Sequence, residues 1–189
     1  MNVYDFDKTL YPEDSTLCFY RYCAARYPRS LLALPGSVPA AAGYLLGRRS
    51  RQELKESLFR FLRAVPSPEE AAEEFWDREI GKIRSWYGPR RRPDDLVISA
   101  SPAFLIEAAC RRLDIACLAS PVDPVTGRFQ GPNCRGEEKL RRFRRQFGGA
   151  AVEEFYSDSL SDVPMAAVAE RAFLVDKNGW PHPWPKKMH

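Results

Sequence analysis

The 189-residue chain predicts an α/β fold: a parallel β-sheet with helices on both faces and a helical insert after the first strand. Three observations carry this prediction. From residue 96 onward, short apolar runs alternate with helical segments. Residues 14 to 90 read as mainly helical, and none of that stretch looks like a parallel-sheet strand. Three of the strand-like runs lead at once into acidic or hydroxyl residues. The length suits one domain with a sizeable core, or a core plus a small insert.

Asn2-Val3-Tyr4 forms the first strand and delivers Asp5-Phe6-Asp7-Lys8-Thr9-Leu10. Pro12 interrupts regular structure, and Asp14 or Ser15 can cap the helix that follows over 16–28. The stretch from Pro28 to Leu46 is largely apolar, is broken by Pro35, Gly36 and Pro39, and is followed at once by Arg48, Arg49 and Arg51. From Ser50, Leu54, Leu58, Phe61 and Leu62 recur at helical spacing. Ser67-Pro68-Glu69-Glu70 is a helix start, with Ser67 capping, and its helix carries Phe75, Trp76, Ile80 and Ile83 towards Trp86.

A charged linker, Arg90 to Asp95, precedes the second strand, Leu96 to Ser101. Pro102 opens a helix through Leu105 and Ala109, and Ile115 to Ala119 is the third strand. Pro121 to Gly131 reads as a hairpin about Thr126-Gly127-Arg128, and Gly136 to Phe147 as a basic helix. Val152 to Tyr156 is a strand leading into Ser157-Asp158-Ser159-Leu160-Ser161-Asp162. A short helix is expected over Pro164 to Arg171 and a last strand over Ala172 to Val175, before a Pro-rich tail of no evident structure.

Hydrophobic content of 44% with 29% charged residues marks a globular chain. A net charge of +4 favours anionic small molecules or surfaces but lacks the dense basic signature of a nucleic-acid binder. Five cysteines without a C-x-x-C pair read as reduced thiols, not as a disulfide frame or zinc site, and point to the cytoplasm. No signal peptide and no membrane-spanning run is expected.

The chemistry begins with Asp5 and Asp7. Like charges so close repel and raise one another's pKa unless a cation sits between them. In a parallel sheet the strand ends gather at one edge, which would bring Asp5, Asp7, Ser99, Asp158 and Asp162 together, with Arg135 and Lys139 near the start of an intervening helix. Four carboxylates there call for a hard divalent cation, and magnesium takes oxygen ligands of this type. A lysine among them implies a second anion such as phosphate.

The pattern resembles the haloacid dehalogenase superfamily, in its phosphoserine-phosphatase-like branch, over nearly the whole chain. Asp5-Phe6-Asp7-Lys8-Thr9-Leu10, Ser99 in Val97-Ile98-Ser99-Ala100-Ser101, Lys139 in Gly136-Glu137-Glu138-Lys139, and Asp158 with Asp162 look like that family's four motifs in order. The resemblance implies a Rossmann-like α/β core over 1–13 and 91–189 and a small all-helical cap of the C1 type over 14–90. It implies a magnesium-dependent phosphomonoester hydrolase with a phospho-aspartate intermediate. Asp5 would be the nucleophile and Asp7 the general acid and base. Asp5, the Asp7 carbonyl and Asp158 would hold magnesium, with Asp162 in support. Ser99, with Ala100, Asp14 and Arg135 nearby, would bind phosphate or substrate. Lys139 would neutralise charge, although Arg135 is an alternative for that cation.

The expected partner is a small phosphate ester. Phosphoserine itself is expected to be a poor substrate, because the carboxylate clamp of that branch has no clear counterpart unless Arg60 or Arg63 substitutes. A phosphotransferase is the alternative chemistry. A binding module on a dead scaffold is disfavoured, since every catalytic position holds a competent residue. The apolar run with its arginines is expected to pack within the cap. Its alternative reading is a weakly membrane-associated surface, or a receiver for a lipid phosphate of the phosphatidylglycerophosphate kind.

Overall fold

The structure, a computed structural model, describes residues 1–33 and 35–185. Six strands form one sheet in the order β3-β2-β1-β4-β5-β6. Strand β1 is Asn2–Tyr4. Helices α1 (Ser15–Arg26), α2 (Val38–Leu45), α3 (Arg51–Leu58) and α4 (Pro68–Glu79) follow, with 3₁₀ turns between them, and form the expected insert. Then come β2 (Leu96–Pro102), α5 (Ala103–Leu113), β3 (Ala116–Ser120), α6 (Glu137–Phe147), β4 (Val152–Ser157), α7 (Val163–Ala166), β5 (Ala169–Val175) and β6 (Pro181–Pro183). The first five strands pair in parallel and β6 is antiparallel on the edge.

The alternation of side chains along the strands divides the interior into two cores. Val3, Leu96, Ile98 and Phe155 pack with Phe143 of α6 and Met165 of α7. Tyr4, Val97 and Tyr156 face the other way, towards Trp76 of α4 and Leu105 of α5. Each fully buried Leu or Phe contributes roughly 1.5–3 kcal/mol. The indole Nε1 of Trp76 donates to the Leu105 carbonyl at 2.7 Å, so α4 is rooted on the core while α1 and α3 face the sheet edge.

The local signals act largely as read. Asp14 caps α1, its Oδ1 accepting from the Leu17 amide at 3.0 Å. Ser50 and Glu53 form a reciprocal capping box on α3. Ser67 precedes α4 without a side-chain capping bond, and Pro68 at the first position starts that helix instead.

Three expectations are corrected. The helix expected over Pro164 to Arg171 is only Val163–Ala166, and β5 begins at Ala169. Pairing with β4, including Arg171 on Glu154 at 2.7 Å, overrides the helical preference of an alanine-rich stretch. The Pro-rich tail supplies β6, where proline is tolerated because the edge needs no further donor. The apolar run from Leu31 to Leu46 packs only in part: Ala40 is buried, whereas Leu31, Leu32, Val38, Leu45 and Leu46 are exposed. Leu34 of that run lies outside the described residues.

The segment 121–131 turns back as a hairpin, with one bridge between Val122 and Phe129. Gly127 sits at φ +72°, and a Cβ there would lie 2.5 Å from the Phe59 carbonyl oxygen. Phe59 stacks on Phe129, and Glu56 accepts from the Phe129 amide at 3.2 Å. The hairpin therefore holds α3 and the turn after it over the sheet edge.

Candidate active site

β1 ends in a tight loop. The Asp5 amide still bonds the Tyr156 carbonyl at 2.8 Å, and then the chain reverses, with the Tyr11 amide on the Phe6 carbonyl at 3.0 Å. Lys8 adopts φ 58°, a conformation costly for a residue with a Cβ. The reversal aims both aspartates into a cavity of about 460 Å³ at the carboxyl edge of the sheet.

Lys139 lies at the centre of the charge. Its Nζ is 2.7 Å from Asp5 Oδ1 and 2.7 Å from Asp162 Oδ2, with the lysine 1% exposed. Gly136 sets this geometry. It starts α6 at φ +57°, where a Cβ would meet the Ser161 carbonyl at 3.1 Å, and its amide donates to Asp162 Oδ1. Helix α6 thus begins against the 160–162 turn, and its first turn carries Lys139 inward. Asp162 Oδ2 also accepts from Ser157 Oγ at 2.8 Å, so both of its oxygens are engaged.

Burial pushes the Asp5 carboxyl up to about 7; Lys139 opposes the rise, and the charges of Asp162 and Asp158 add to it. Burial acts against the charge of Lys139, but Asp5 and Asp162 outweigh it and hold the ammonium above its usual range. Burial also raises Asp158, with Lys8 and Lys139 opposing. Asp7 is raised by burial first and by the Asp14 charge second. Its carboxylate accepts from the Ser15 amide at 2.9 Å and from Ser101 Oγ at 2.5 Å.

Asp5, Asp7, Asp14, Ala100, Arg135, Lys139, Asp158 and Asp162 all line the cavity. Ser99 does not. It is buried behind the lining, where its Oγ accepts from the Ser101 amide at 3.1 Å. Ser101, itself buried, lines the cavity wall in its place. Arg135 lies outside α6, its Nε donating to Ser161 Oγ at 3.2 Å, and makes no ion pair with Asp5. Arg60 and Arg63 are exposed and line no part of the cavity.

The sequence reading missed Lys55, and took Arg51 only as one of the arginines behind the apolar run. Lys55 reaches from α3 into the cavity, donating to the Ala100 carbonyl at 2.8 Å and to Asn133 Oδ1 at 3.3 Å. Burial lowers its pKa, and the charges of Asp7, Asp14 and Asp5 oppose the fall. The signal was present: Arg51, Lys55 and Leu58 follow one helical face, and all three line the cavity. Leu17, Tyr20, Phe59 and Phe61 complete an apolar wall on the insert side.

Among the described residues, no three His, Cys, Asp or Glu side chains are already gathered as a closed metal cluster. The donor chemistry nevertheless fits magnesium. Asp5 and Asp158 offer hard oxygens, and this ion needs only one or two carboxylates, keeping water and phosphate oxygens for the rest. Asp162 fits less well, because Lys139, Ser157 and Gly136 already occupy it.

Residues 3–167 match the haloacid dehalogenase-like hydrolases. The chain belongs to that family. Among curated proteins, this hydrolase is similar to Protein CicA of Caulobacter vibrioides, with 29% identity over 185 residues, covering 89% of this chain and 82% of the relative. A solved protein of unknown function from Bordetella pertussis Tohama I superposes with a TM-score of 0.67 at 21% identity, covering 91% of this chain and 87% of that one. A phosphoserine phosphohydrolase-like protein from Francisella tularensis gives 0.53 at 15% identity, covering 91% and 86%. These two likenesses establish the shared fold.

Proposed function

We propose that this hydrolase is a magnesium-dependent phosphomonoesterase working through a phospho-Asp5 intermediate. The observation that supports it most is the buried Lys139 ammonium between Asp5 and Asp162, in a cavity shared with Asp7 and Asp158. A lysine so placed orients the Asp5 carboxylate and offsets its charge as a phosphate dianion approaches.

An Asp5 oxygen attacks phosphorus and the ester P–O bond breaks. Protonated Asp7 gives its proton to the leaving oxygen. Asp7, now ionised, takes a proton from the water that attacks phosphorus, and the Asp5–phosphate bond breaks to release phosphate. Asp5, Asp158 and the Asp7 carbonyl would hold magnesium, which would supply charge neutralisation at the phosphate oxygens. Ser101 positions Asp7, and Lys55 and Arg135 are the further cations available to phosphate. In this reading residues 14–90 act as the cap over a core of 1–13 and 91–189, and the protein works in the cytoplasm on a small phosphate ester.

Some relatives in fold are phosphoserine-phosphatase-like, but the positions of Arg60 and Arg63 argue against phosphoserine here. A catalytic efficiency for phosphoserine of roughly 10⁴ M⁻¹s⁻¹ or more would overturn that part. The deciding experiment for the whole is hydrolysis of a generic aryl phosphate with and without magnesium, with mass spectrometry of acid-quenched enzyme for phosphate on Asp5. Activity that is indifferent to magnesium, or a phosphorylated residue other than Asp5, would exclude the mechanism. Added alcohols that divert phosphate from water would instead identify a phosphotransferase.

A further inference from the structure

The charge of the chain is unevenly placed. Residues 15–52 hold six arginines and no Asp or Glu, although the chain has 29 basic and 25 acidic residues in all. The rest of the molecule is therefore slightly acidic. Arg21 and Arg26 approach Glu13 and Glu74, but no ion pair is seen for Arg29, Arg48, Arg49 or Arg51 among the described residues.

The same segment exposes its apolar side chains. Leu32 is 79% exposed, Leu45 83% and Leu46 67%, and of α2 only Ala40 is buried. Scattered exposed leucines are ordinary. Several within one short basic segment are not, since soluble surfaces rarely keep such patches without a partner. Helix α2 packs on α3, and α3 carries Arg51, Lys55 and Leu58 of the cavity wall. Leu17 and Leu58, both about half exposed, continue the apolar surface into the cavity mouth.

We infer that residues 28–51 dock on an anionic lipid surface and that the cavity takes the phosphomonoester head group of an acyl-chain lipid lying in that surface. The apolar side chains enter the boundary between head groups and acyl chains, and the arginines meet lipid phosphates. No described helix is long and apolar enough to cross a membrane, so the contact is peripheral and reversible. Charge complementarity selects this occupant: a neutral apolar partner would leave the four unpaired arginines without counter-charges. The substrate half of this inference rests on the phosphatase reading above, whereas the docking half does not.

The test uses the full chain, wild type and two double variants, L45D/L46D and R48E/R49E, none of which touches the cavity. Binding is read by co-sedimentation with phosphatidylcholine vesicles, with and without phosphatidylglycerol. Turnover is read on an aryl phosphate and on a long-chain acylglycerol phosphate carried in the same vesicles. Wild type should bind the anionic vesicles, and less so as salt rises. Each arginine near such a surface is worth about fivefold in affinity, so R48E/R49E should lose roughly 25-fold or more in binding, and L45D/L46D, which replaces inserting apolar side chains with charges, should lose roughly tenfold or more, each with a like loss in lipid-phosphate turnover. Both should keep wild-type turnover of the aryl phosphate. Absence of binding by wild type, equal binding by the variants, or a lipid-free dimer that buries α2 would overturn the docking face. Binding without turnover of the lipid phosphate, by an enzyme that hydrolyses the aryl phosphate, would overturn the substrate class. Loss of wild-type activity on both phosphates would instead count against the phosphatase reading, with sedimentation still judging the face.

Discussion

Ser101 Oγ donates a 2.5 Å hydrogen bond to Asp7 Oδ2, joining residues 94 apart in sequence. A donor of this kind stabilises the ionised carboxylate and works against the burial that raises the Asp7 pKa. The serine therefore tunes the proposed general acid.

A pH dependence follows from this contact. The leaving oxygen needs protonated Asp7, so the alkaline limb of kcat/KM should fall as pH rises through the folded pKa of Asp7, while the acid limb is set by ionisation of the nucleophile Asp5. Burial places that fall above the ordinary carboxylate range. Ser101→Ala removes the opposing hydrogen bond and should move the fall to still higher pH. The stability term has the same sign: it is full below the unfolded pKa and lost as pH rises through the folded one. A pH–kcat/KM profile of the variant that is unshifted, or shifted to lower pH, would contradict the assignment.

Asp5→Asn should lower kcat on an aryl phosphate by on the order of 10³-fold or more, because the amide cannot act as the attacking group. Thermal unfolding should change much less than activity. Retention of more than a tenth of wild-type turnover would sink the nucleophile assignment.

Lys139→Ala should cost both activity and stability. It leaves Asp5 and Asp162 buried without their shared cation, and breaking one partner out of such a group costs about 3–5 kcal/mol. Chemical denaturation at neutral pH measures it. A change below about 1 kcal/mol would mean that protonation of the carboxylates or water entry compensates for the missing charge.

Gly136→Ala tests the placement of Lys139. The residue must keep φ +57° and would bring a Cβ to 3.1 Å from the Ser161 carbonyl. Holding a residue with a Cβ at φ +57° and ψ −124°, a glycine-favouring region, costs roughly 1–3 kcal/mol, which corresponds to a melting temperature lower by about 2–12 °C for a chain of this size. If α6 shifts to relieve the contact, kcat should fall as well. An unchanged melting temperature would show that the start of α6 is less constrained than its geometry implies.

Lys55→Met should raise KM for the aryl phosphate, by roughly tenfold, more than it lowers kcat. The reason is its position: it is held by the Ala100 carbonyl and Asn133 on the cavity wall, without contact to Asp5 or Asp7. A fall in kcat with KM unchanged would instead place Lys55 in the chemical step.

Much of this was legible in the sequence. Short apolar runs that end in Asp5, Ser99 and Asp158 predict a parallel sheet with its chemistry at one edge, because strand polarity alone gathers those ends. The capping box at Ser50 and the proline start at Pro68 are local hydrogen-bond and dihedral effects, so they too are read locally. The start of β5 was not legible, since Ala169–Val175 is a strand only by pairing with β4 and β6.

The sequence by itself determined which residue types reach the carboxyl edge of the sheet and in what order. Tertiary structure decided which of them face the cavity. The ladder between β2 and β3 shifts register between Ile98 and Pro102, and there Ser99 Oγ turns back to the Ser101 amide. Ser101 is left on the cavity wall, against Asp7. Lys55 meets the Ala100 carbonyl 45 residues away only because Glu56 and Phe59 clip the insert to the 121–131 hairpin. Spacing along the chain carries no information about such contacts, because they arise from packing between elements whose relative placement no local hydrogen bond sets.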